Sequence, residues 1–277
     1  MQSTFLSTLL AENKVTLFLV DVSGVLHHDD GVVPGAVEAL AWMQTLGPVF
    51  LVTNNSCQDP FSISTWLGTL GFSIAPDHII SSGLGLSLDP LIHSQLQQKR
   101  VYIYGQASSY YYVEKVAYQS IVTDYHQADC IIMTSSHKEA SEQEYQALKS
   151  FLQIKSLPVI CCNPDQYVRG PQGRWIPVVG WYAKRLEDEV GVAVQWIGKP
   201  YSNYSQVVKT YLHTQFALTP DAHTCFFDDN PHNVRVLSQD LQIQGCCVIE
   251  TGITALVLQE DPSALAFKGF SIPRFSL

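Results

Sequence analysis

The stretch FLVDVSGVLHHDDG, Phe18–Gly31, places an acidic residue at the end of an apolar run. The run extends from Val15 to Val20, and Asp21 follows it directly. A continuous apolar run of this length is typical of a parallel strand that is buried on both faces. Ligands of open parallel sheets bind beyond the carboxyl ends of the strands. Asp21 is therefore a candidate for chemistry, although an isolated aspartate at this place is more often a turn or cap residue.

Strand-like and helix-like segments alternate along the rest of the chain. PVFLVTNN (48–55) has the composition of a second buried strand, and a helical pattern follows it. Late in the chain VQWIG, HTCFFDD and GCCVIET have strand-like composition and are separated by helical patterns. Such alternation predicts a parallel sheet with helices on both faces. The middle of the chain alternates as well, but the polar residues that could carry chemistry follow strands of the first and last thirds. This indicates one sheet built from both chain ends, with a second lobe inserted between them.

Composition narrows the class of protein. The chain has 277 residues, 46% of them hydrophobic and 15% charged, so a large core is expected and disorder is not. A net charge of −9 argues against nucleic acid or an anionic membrane surface as the main partner. Seven cysteines without metal-binding spacing favour buried free thiols in a reducing compartment. The sequence shows no secretory leader and no membrane span, and we expect a cytoplasmic protein.

Residues that could take part in catalysis or bind a metal follow four of the expected strands. If these strand ends line one crevice, they supply a nucleophile, a hydroxyl donor, a cation and the acids for a hard metal such as Mg²⁺. These are the parts that phosphoryl transfer needs, since positioning and charge neutralisation dominate that reaction. The set is Asp21; Thr53, Asn54 and Asn55; Lys199; Asp228 and Asp229.

The same segments resemble the haloacid dehalogenase (HAD) superfamily of phosphatases. DVSGVLHHDDGVVPGA (21–36) resembles its opening motif, and LVTNNS (51–56) its second motif. CCNPDQYVRGPQGRWIPVVG (161–180), WIGKPYSNY (196–204) and FFDDNPHNV (226–234) resemble the cap, lysine and acidic motifs of class IIA. This branch includes nitrophenyl phosphatases, pyridoxal phosphate phosphatases and NagD-like phosphatases. The resemblance implies a Rossmann-like α/β core of residues 1–83 and 193–277, with an αβ cap domain of residues 84–192.

The resemblance also implies a role for each matching residue. Asp21 would be the nucleophile and, with the backbone carbonyl of Ser23, a ligand of Mg²⁺. Thr53 and the Asn54 amide would hold the phosphoryl oxygens, and Lys199 would neutralise Asp21 and the phosphoryl group. The remaining assignments are Asp229 as the main metal acid with Asp228 assisting, Asn233 as a weaker metal residue, and Asn163, Pro164 and Asp165 as cap residues facing the crevice.

Ser23 departs from the family pattern. Most HAD phosphatases carry an aspartate there, which protonates the leaving group and then activates water, and a serine hydroxyl is too weak an acid for this task. His27 and His28 could supply the proton, because histidine titrates near neutral pH. Asp29 and Asp30 precede Gly31 and VVPGA, a pattern that indicates a hairpin turn.

We therefore expect a Mg²⁺-dependent hydrolase that removes the phosphoryl group of a small phosphorylated metabolite through an aspartyl-phosphate on Asp21. Sugar phosphates, nucleotides and pyridoxal phosphate are the substrate classes that the resemblance implies. The alternative is a binding or regulatory protein that holds a phosphate ligand and has lost turnover at Ser23; dehalogenase chemistry ranks third. A homodimer formed through the cap is the assembly considered.

Overall fold

A computed structural model describes residues 6–28, 31–105, 107–116, 120–134, 142–170, 174–254, 257–258, 261, 263–265 and 269–276. Asp29 and Asp30, the expected turn acids, lie outside the described residues. The helices are α1 Leu6–Asn13, α2 Ala36–Leu46, α3 Pro60–Thr69, α4 Gly85–Leu88, α5 Pro90–Leu96, α6 Tyr110–Glu114, α7 Glu142–Ile154, α8 Val179–Val190, α9 Ser202–Phe216 and α10 Pro231–Leu241. The strands are β1 Leu17–Val20, β2 His27–His28, β3 Gly31–Val32, β4 Val49–Thr53, β5 Ile79–Ser81, β6 Arg100–Tyr104, β7 Ser120–Val122, β8 Cys130–Met133, β9 Val159–Cys161, β10 Tyr167–Gly170, β11 Arg174–Pro177, β12 Val194–Trp196, β13 Thr224–Asp228, β14 Gln244–Val248 and β15 Gly269–Ile272.

The first lobe is built on a six-stranded parallel sheet, which confirms the expected α/β class. Its strand order is β15-β14-β13-β1-β4-β5, so strands from both ends of the chain lie side by side. All residues of β1 and β4 are buried, as their continuous apolar composition predicts. The central position of β1 places its carboxyl end between those of β4 and β13.

The second lobe is built on another parallel sheet, with the order β12-β9-β8-β6-β7. The sequence pattern had assigned the VQWIG strand, β12, to the first sheet, and this is wrong. Val194 pairs with Val159 of β9, so β12 is the edge strand of the second sheet and lies beyond residue 192. A three-residue strand carries no local signal that identifies its neighbour, because that depends on long-range pairing.

The two lobes share one hydrophobic cluster. It joins Leu19 and Val52 of the first sheet to Ile103 and Ile132 of the second. Hydrogen bonds reinforce the junction, since the Ser56 hydroxyl donates to the Thr134 carbonyl at 2.6 Å. The second lobe is therefore held against the first by buried apolar surface as well as by the chain segments that connect the two.

Two small hairpins complete the architecture. β2 and β3 pair with each other just after the first strand, and the antiparallel pair β10–β11 projects from the second lobe. All seven cysteines are free and six are buried, as expected from their apolar surroundings. Within the described part of the chain, no helix combines the length and apolar character needed to cross a membrane.

Candidate active site

Three carboxylates meet at the carboxyl ends of β1 and β13. Val20 of β1 is paired with Phe227 of β13, and the Asp21 N–H donates to the Phe227 carbonyl at 2.8 Å. This register brings Asp21 level with Asp228 and Asp229. One carboxylate oxygen from each residue lies within 4.8 Å of the others. The acids that the sequence placed at separate strand ends therefore form one cluster.

Lys199 lies inside this cluster and is almost completely buried. Its Nζ is 2.6 Å from Asp21 Oδ1 and 2.7 Å from Asp228 Oδ2, and it donates to the Val52 carbonyl at 2.9 Å. Burial alone would lower the pKa of Lys199, but the two carboxylates raise it above its ordinary value. Lys199 reaches the site from the loop after β12, not from the end of a core strand. The sequence therefore identified the right residue and the wrong sheet.

Asp228 and Asp229 occupy different environments. Asp228 is fully buried, and its carboxylate accepts from Lys199, from the Asn230 N–H at 2.7 Å and from Asn233 Nδ2 at 3.1 Å. Asp229 instead lines the open cavity, where its Oδ2 accepts from the Ile253 N–H at 2.6 Å. Asp228 thus holds Lys199 and α10 in place, and Asp229 presents a carboxylate to a ligand.

The charges of the cluster are not balanced by the protein. Burial raises the pKa of Asp21 to about 7 despite its ion pair with Lys199. Burial, together with the charges of Asp228 and Asp21, raises the pKa of Asp229 well above its ordinary value. If all three carboxylates are ionised, the one lysine leaves two negative charges, which a divalent cation would neutralise.

The residues present fit such a cation. The donor set consists of carboxylate oxygens, which Mg²⁺ and Ca²⁺ prefer. In addition, the Oδ1 atom of Asn233 is buried without a hydrogen-bond partner, and Asn233 lines the cavity beside Asp229. An unpartnered buried amide oxygen next to an acidic cluster is a further available ligand.

Ser23 is exposed at the mouth of the same cavity. The turn after it needs glycine, because Gly24 has φ +83° and a Cβ there would lie 2.4 Å from the Asp229 carboxylate. The backbone of Ser23 is therefore held directly beside the acidic cluster. Its side chain supplies a hydroxyl where an acid would be required for proton transfer.

Thr53 and Asn54 follow β4 on the other side of Asp21. Thr53 Oγ1 accepts from the Asn55 N–H at 3.1 Å, which leaves its hydroxyl hydrogen for another acceptor. The Asn54 side chain is engaged elsewhere: Nδ2 donates to Asp165 Oδ1 at 2.9 Å and to the Lys199 carbonyl at 3.0 Å, and Oδ1 accepts from the Lys199 N–H at 2.8 Å. A phosphoryl oxygen at this position would have to bind the backbone N–H of Asn54.

The cap residues Asn163 and Asp165 line the cavity as expected. Asn163 Oδ1 accepts from the Asp165 N–H at 2.9 Å, which shapes the turn that carries both side chains. Pro164 packs against Gly198, where a Cβ would lie 2.6 Å from its ring. Burial raises the pKa of Asp165. The turn formed by Asn163, Pro164 and Asp165 therefore packs against the loop that carries Lys199.

Both histidines of β2 line the cavity. The His27 ring lies 4.8 Å from the Trp66 ring at an interplanar angle of 87°. Burial lowers the pKa of His27, so the imidazole is neutral at pH 7 and is a poor proton donor.

Several lining residues had no signal in the sequence. The cavity has a volume of about 420 Å³. Besides the expected residues, it is lined by a tryptophan, a tyrosine and a threonine-glycine loop far apart in the chain: Trp66, Tyr167, Thr251 and Gly252. No local pattern marks these residues, because they come together only through tertiary packing: Trp66, Thr251 and Gly252 lie in the first lobe and Tyr167 in the second.

Comparisons with known proteins agree with this architecture. Residues 18–119 match the family model described as haloacid dehalogenase-like hydrolase. Dihydroxyacetone phosphatase of Corynebacterium glutamicum is 26% identical over 191 residues, which cover 66% of this chain and 64% of that protein. Ribonucleotide monophosphatase NagD of Escherichia coli is 25% identical over 183 residues, covering 66% of this chain and 68% of NagD. The first match therefore spans less than two thirds of that relative.

Solved structures extend the similarity to the whole chain. The crystal structure of a possible sugar phosphatase of the HAD superfamily from Cytophaga hutchinsonii superposes with a TM-score of 0.83. The superposition covers 100% of this chain and 99% of the other at 18% sequence identity. A likeness at this level of identity shows that the two chains share their fold.

Proposed function

We propose that this chain, which belongs to the haloacid dehalogenase superfamily, is a Mg²⁺-dependent phosphatase of small phosphorylated metabolites. The observation that carries the proposal is the placement of the Asp21 carboxylate. It lies at the end of a buried central strand, 2.6 Å from Lys199 Nζ, in a cavity that Asp229 and Thr53 also line. A carboxylate so placed can act as a nucleophile toward phosphorus.

In the proposed reaction, an Asp21 oxygen attacks the phosphorus atom and the bond to the leaving oxygen breaks. Lys199 holds Asp21 and offsets the negative charge of the transferred group, because its ammonium remains charged. The Thr53 hydroxyl and the Asn54 N–H orient the phosphoryl oxygens. Mg²⁺ held by Asp21, the Ser23 carbonyl and Asp229 would supply further charge neutralisation, and Asp228 would position Lys199.

The names of two relatives bear on the substrate class. Their names refer to dihydroxyacetone phosphate and ribonucleotide monophosphates. These names favour a small phosphomonoester. The cytoplasmic location and a homodimer through the cap stay predictions.

A binding or regulatory protein is the second candidate, and Ser23 is the observation that favours it. A pocket that binds the phosphomonoester but has no acid at this position would release phosphate slowly or not at all. Single-turnover phosphate release with Mg²⁺, compared with equilibrium binding of the same ester, separates the two functions.

The substitution Asp21→Asn tests the phosphatase directly. It retains the size of the side chain and removes the charge needed for attack, so phosphate release should fall to the background rate while the melting temperature stays near that of the wild type. Turnover at the wild-type rate by the folded variant would refute the assignment of Asp21 as nucleophile.

A further inference from the structure

One wall of the active-site cavity is made of aromatic and apolar side chains. On the side of the first lobe it consists of His27 of β2 together with Ile63 and Trp66 of α3. The two rings of this wall are perpendicular, with centroids 4.8 Å apart, so that the edge of one meets the face of the other. Trp66 is only half-buried against the core.

The second lobe contributes further apolar side chains to the same cavity. Tyr167 and Val168 begin the hairpin strand β10, and Val178 precedes α8. Tyr167 is 42% exposed and Val168 is 39% exposed, although both line the cavity. Large apolar side chains that line one cavity and stay partly exposed are characteristic of a ligand site, because a bound apolar group would remove them from water.

This apolar slot is continuous with the catalytic cluster. Its residues line the same cavity as Asp21, Ser23 and Lys199. A volume of about 420 Å³ lies within the range of small-molecule pockets, and it has room for a phosphoryl group and one ring. A ligand whose phosphoryl group reaches Asp21 would place the group attached to it between Trp66 and Tyr167.

Ser23 indicates the same class of ligand by an independent route. An alkoxide leaving group needs a proton as it departs, and the serine cannot donate one. A phenolate leaving group spreads its negative charge over the ring and departs without a proton. The position that lacks an acid therefore suits a leaving oxygen that is attached directly to an aromatic ring.

We propose that the substrate is the phosphate monoester of a phenol-type hydroxyl compound, with its ring held between Trp66 and the start of β10. This inference rests on the phosphatase function proposed above. The Asp21 carboxylate forms a bond to phosphorus as the phosphorus–oxygen bond to the phenolate breaks. Water then attacks phosphorus, the bond to Asp21 breaks, and both protons of the water leave on dihydrogen phosphate.

Binding of inert phosphonates tests the slot apart from turnover. Phenylphosphonate and cyclohexylphosphonate carry rings of the same number of carbon atoms, planar in one and puckered in the other. We expect titration calorimetry with Mg²⁺ to give a Kd that is about five-fold or more lower for phenylphosphonate, since ring–ring contacts add to burial. Equal affinity, or tighter binding of the more apolar cyclohexyl compound, would overturn the proposal.

A matched pair of variants locates the effect. Trp66→Leu should bring the two phosphonate affinities to within about two-fold of each other, because it removes the ring and keeps an apolar side chain. Trp42→Leu alters a tryptophan that is packed against the same core cluster on α2, and it should keep the wild-type ratio. An unchanged ratio in Trp66→Leu would place the ring elsewhere and refute the slot. Tyr167→Leu provides the same test on an exposed strand if Trp66→Leu does not fold.

Turnover distinguishes a failure of the slot from a failure of the phosphatase. In a single turnover, phenol should be released from phenyl phosphate about a hundred-fold faster than benzyl alcohol from benzyl phosphate, in which a CH₂ group separates the ring from the leaving oxygen. Release of both alcohols at similar single-turnover rates, followed by release of phosphate, would leave the phosphatase in place and refute the phenol class. Selective phosphonate binding without hydrolysis of any ester would retain the ring slot and refute both the phosphatase and the substrate assignment.

Discussion

Ser23 is the residue at which this site departs most from a complete hydrolase. It lies at the mouth of the cavity, two residues after Asp21, on a turn that Gly24 holds against Asp229. The neighbouring His27 is no simple substitute, since burial lowers its pKa and leaves it neutral at pH 7. The residues of the proposed metal site and the proposed nucleophile are thus in place, and the acid is not.

Restoring the acid should speed the hydrolysis of esters with poor leaving groups. We expect Ser23→Asp to raise the single-turnover rate with an alkyl phosphate by about 10²–10⁴-fold, because that is the usual contribution of general acid–base catalysis. Ser23→Asn is the matched control, with the same size and no acid, and should show no such gain. An equal rate for wild type, Ser23→Asp and Ser23→Asn would mean that another group already donates the proton.

Asn54 connects three elements at the junction of the lobes. Its side chain bonds the loop after β4 to the lysine loop after β12 and to Asp165 of the second lobe. The Asn54 side chain is buried, so these bonds are shielded from water. This amide therefore holds the backbone of Lys199 at the end of β4, and the acidic cluster holds its side chain.

Removing that amide should lower both stability and activity. Asn54→Ala leaves the buried Lys199 N–H and the Asp165 carboxylate without a partner, which we expect to cost about 1–3 kcal/mol of unfolding free energy. Urea denaturation measures the loss, and phosphate release should fall in parallel. Asn55→Ala is the control, because its side chain bonds only nearby groups in Cys57 and Gln58. A loss in Asn54→Ala no greater than that in Asn55→Ala would refute the role of Asn54 as a connector.

The sequence predicted elements with strong local periodicity and missed those defined by distant contacts. α2 and α10 were expected from their helical spacing and proline start, and β1 from its apolar run, and all three are confirmed. The sheet of β12 was assigned wrongly, since strand partners more than thirty residues away leave no local pattern. The hairpin β10–β11 was not predicted. Likewise, the acids and Lys199 were found because they follow strands, whereas Trp66 reaches the cavity from the middle of α3, where no local pattern marks it.

At the scale of the whole molecule, the buried cluster links stability to pH and metal. An unfolded aspartate has an ordinary pKa of 3.8, and burial raises the pKa of folded Asp229 well above it. Ionisation is therefore harder in the folded chain. In the metal-free protein, the contribution of Asp229 to stability is fully present below pH 3.8 and is lost as the pH rises toward the folded pKa of this group.

Asp229→Asn should remove most of this penalty. In the presence of a chelator, the melting temperature of the wild type should fall relative to that of Asp229→Asn as the pH rises from about 4 to neutral. At the higher pH the variant should melt above the wild type, by about 2–4 °C per kcal/mol regained. Mg²⁺ should raise the melting temperature of the wild type and have little effect on the variant. Asp240→Asn, on an exposed position of α10, serves as the control and should follow the wild type. Parallel pH profiles for all three proteins would contradict the cation site at Asp229.

The central claim is that Asp21 receives the phosphoryl group, and trapping that intermediate tests it most directly. Phenyl phosphate and Mg²⁺ are mixed with the protein, the reaction is stopped in acid within the first turnover, and peptides are analysed by mass spectrometry. The account predicts one phosphoryl group per chain on the peptide that contains Asp21, and none on the Asp21→Asn protein. Phosphate release at the full wild-type rate with no phosphoryl group on Asp21 at any time point, or with the group on another residue, would contradict it.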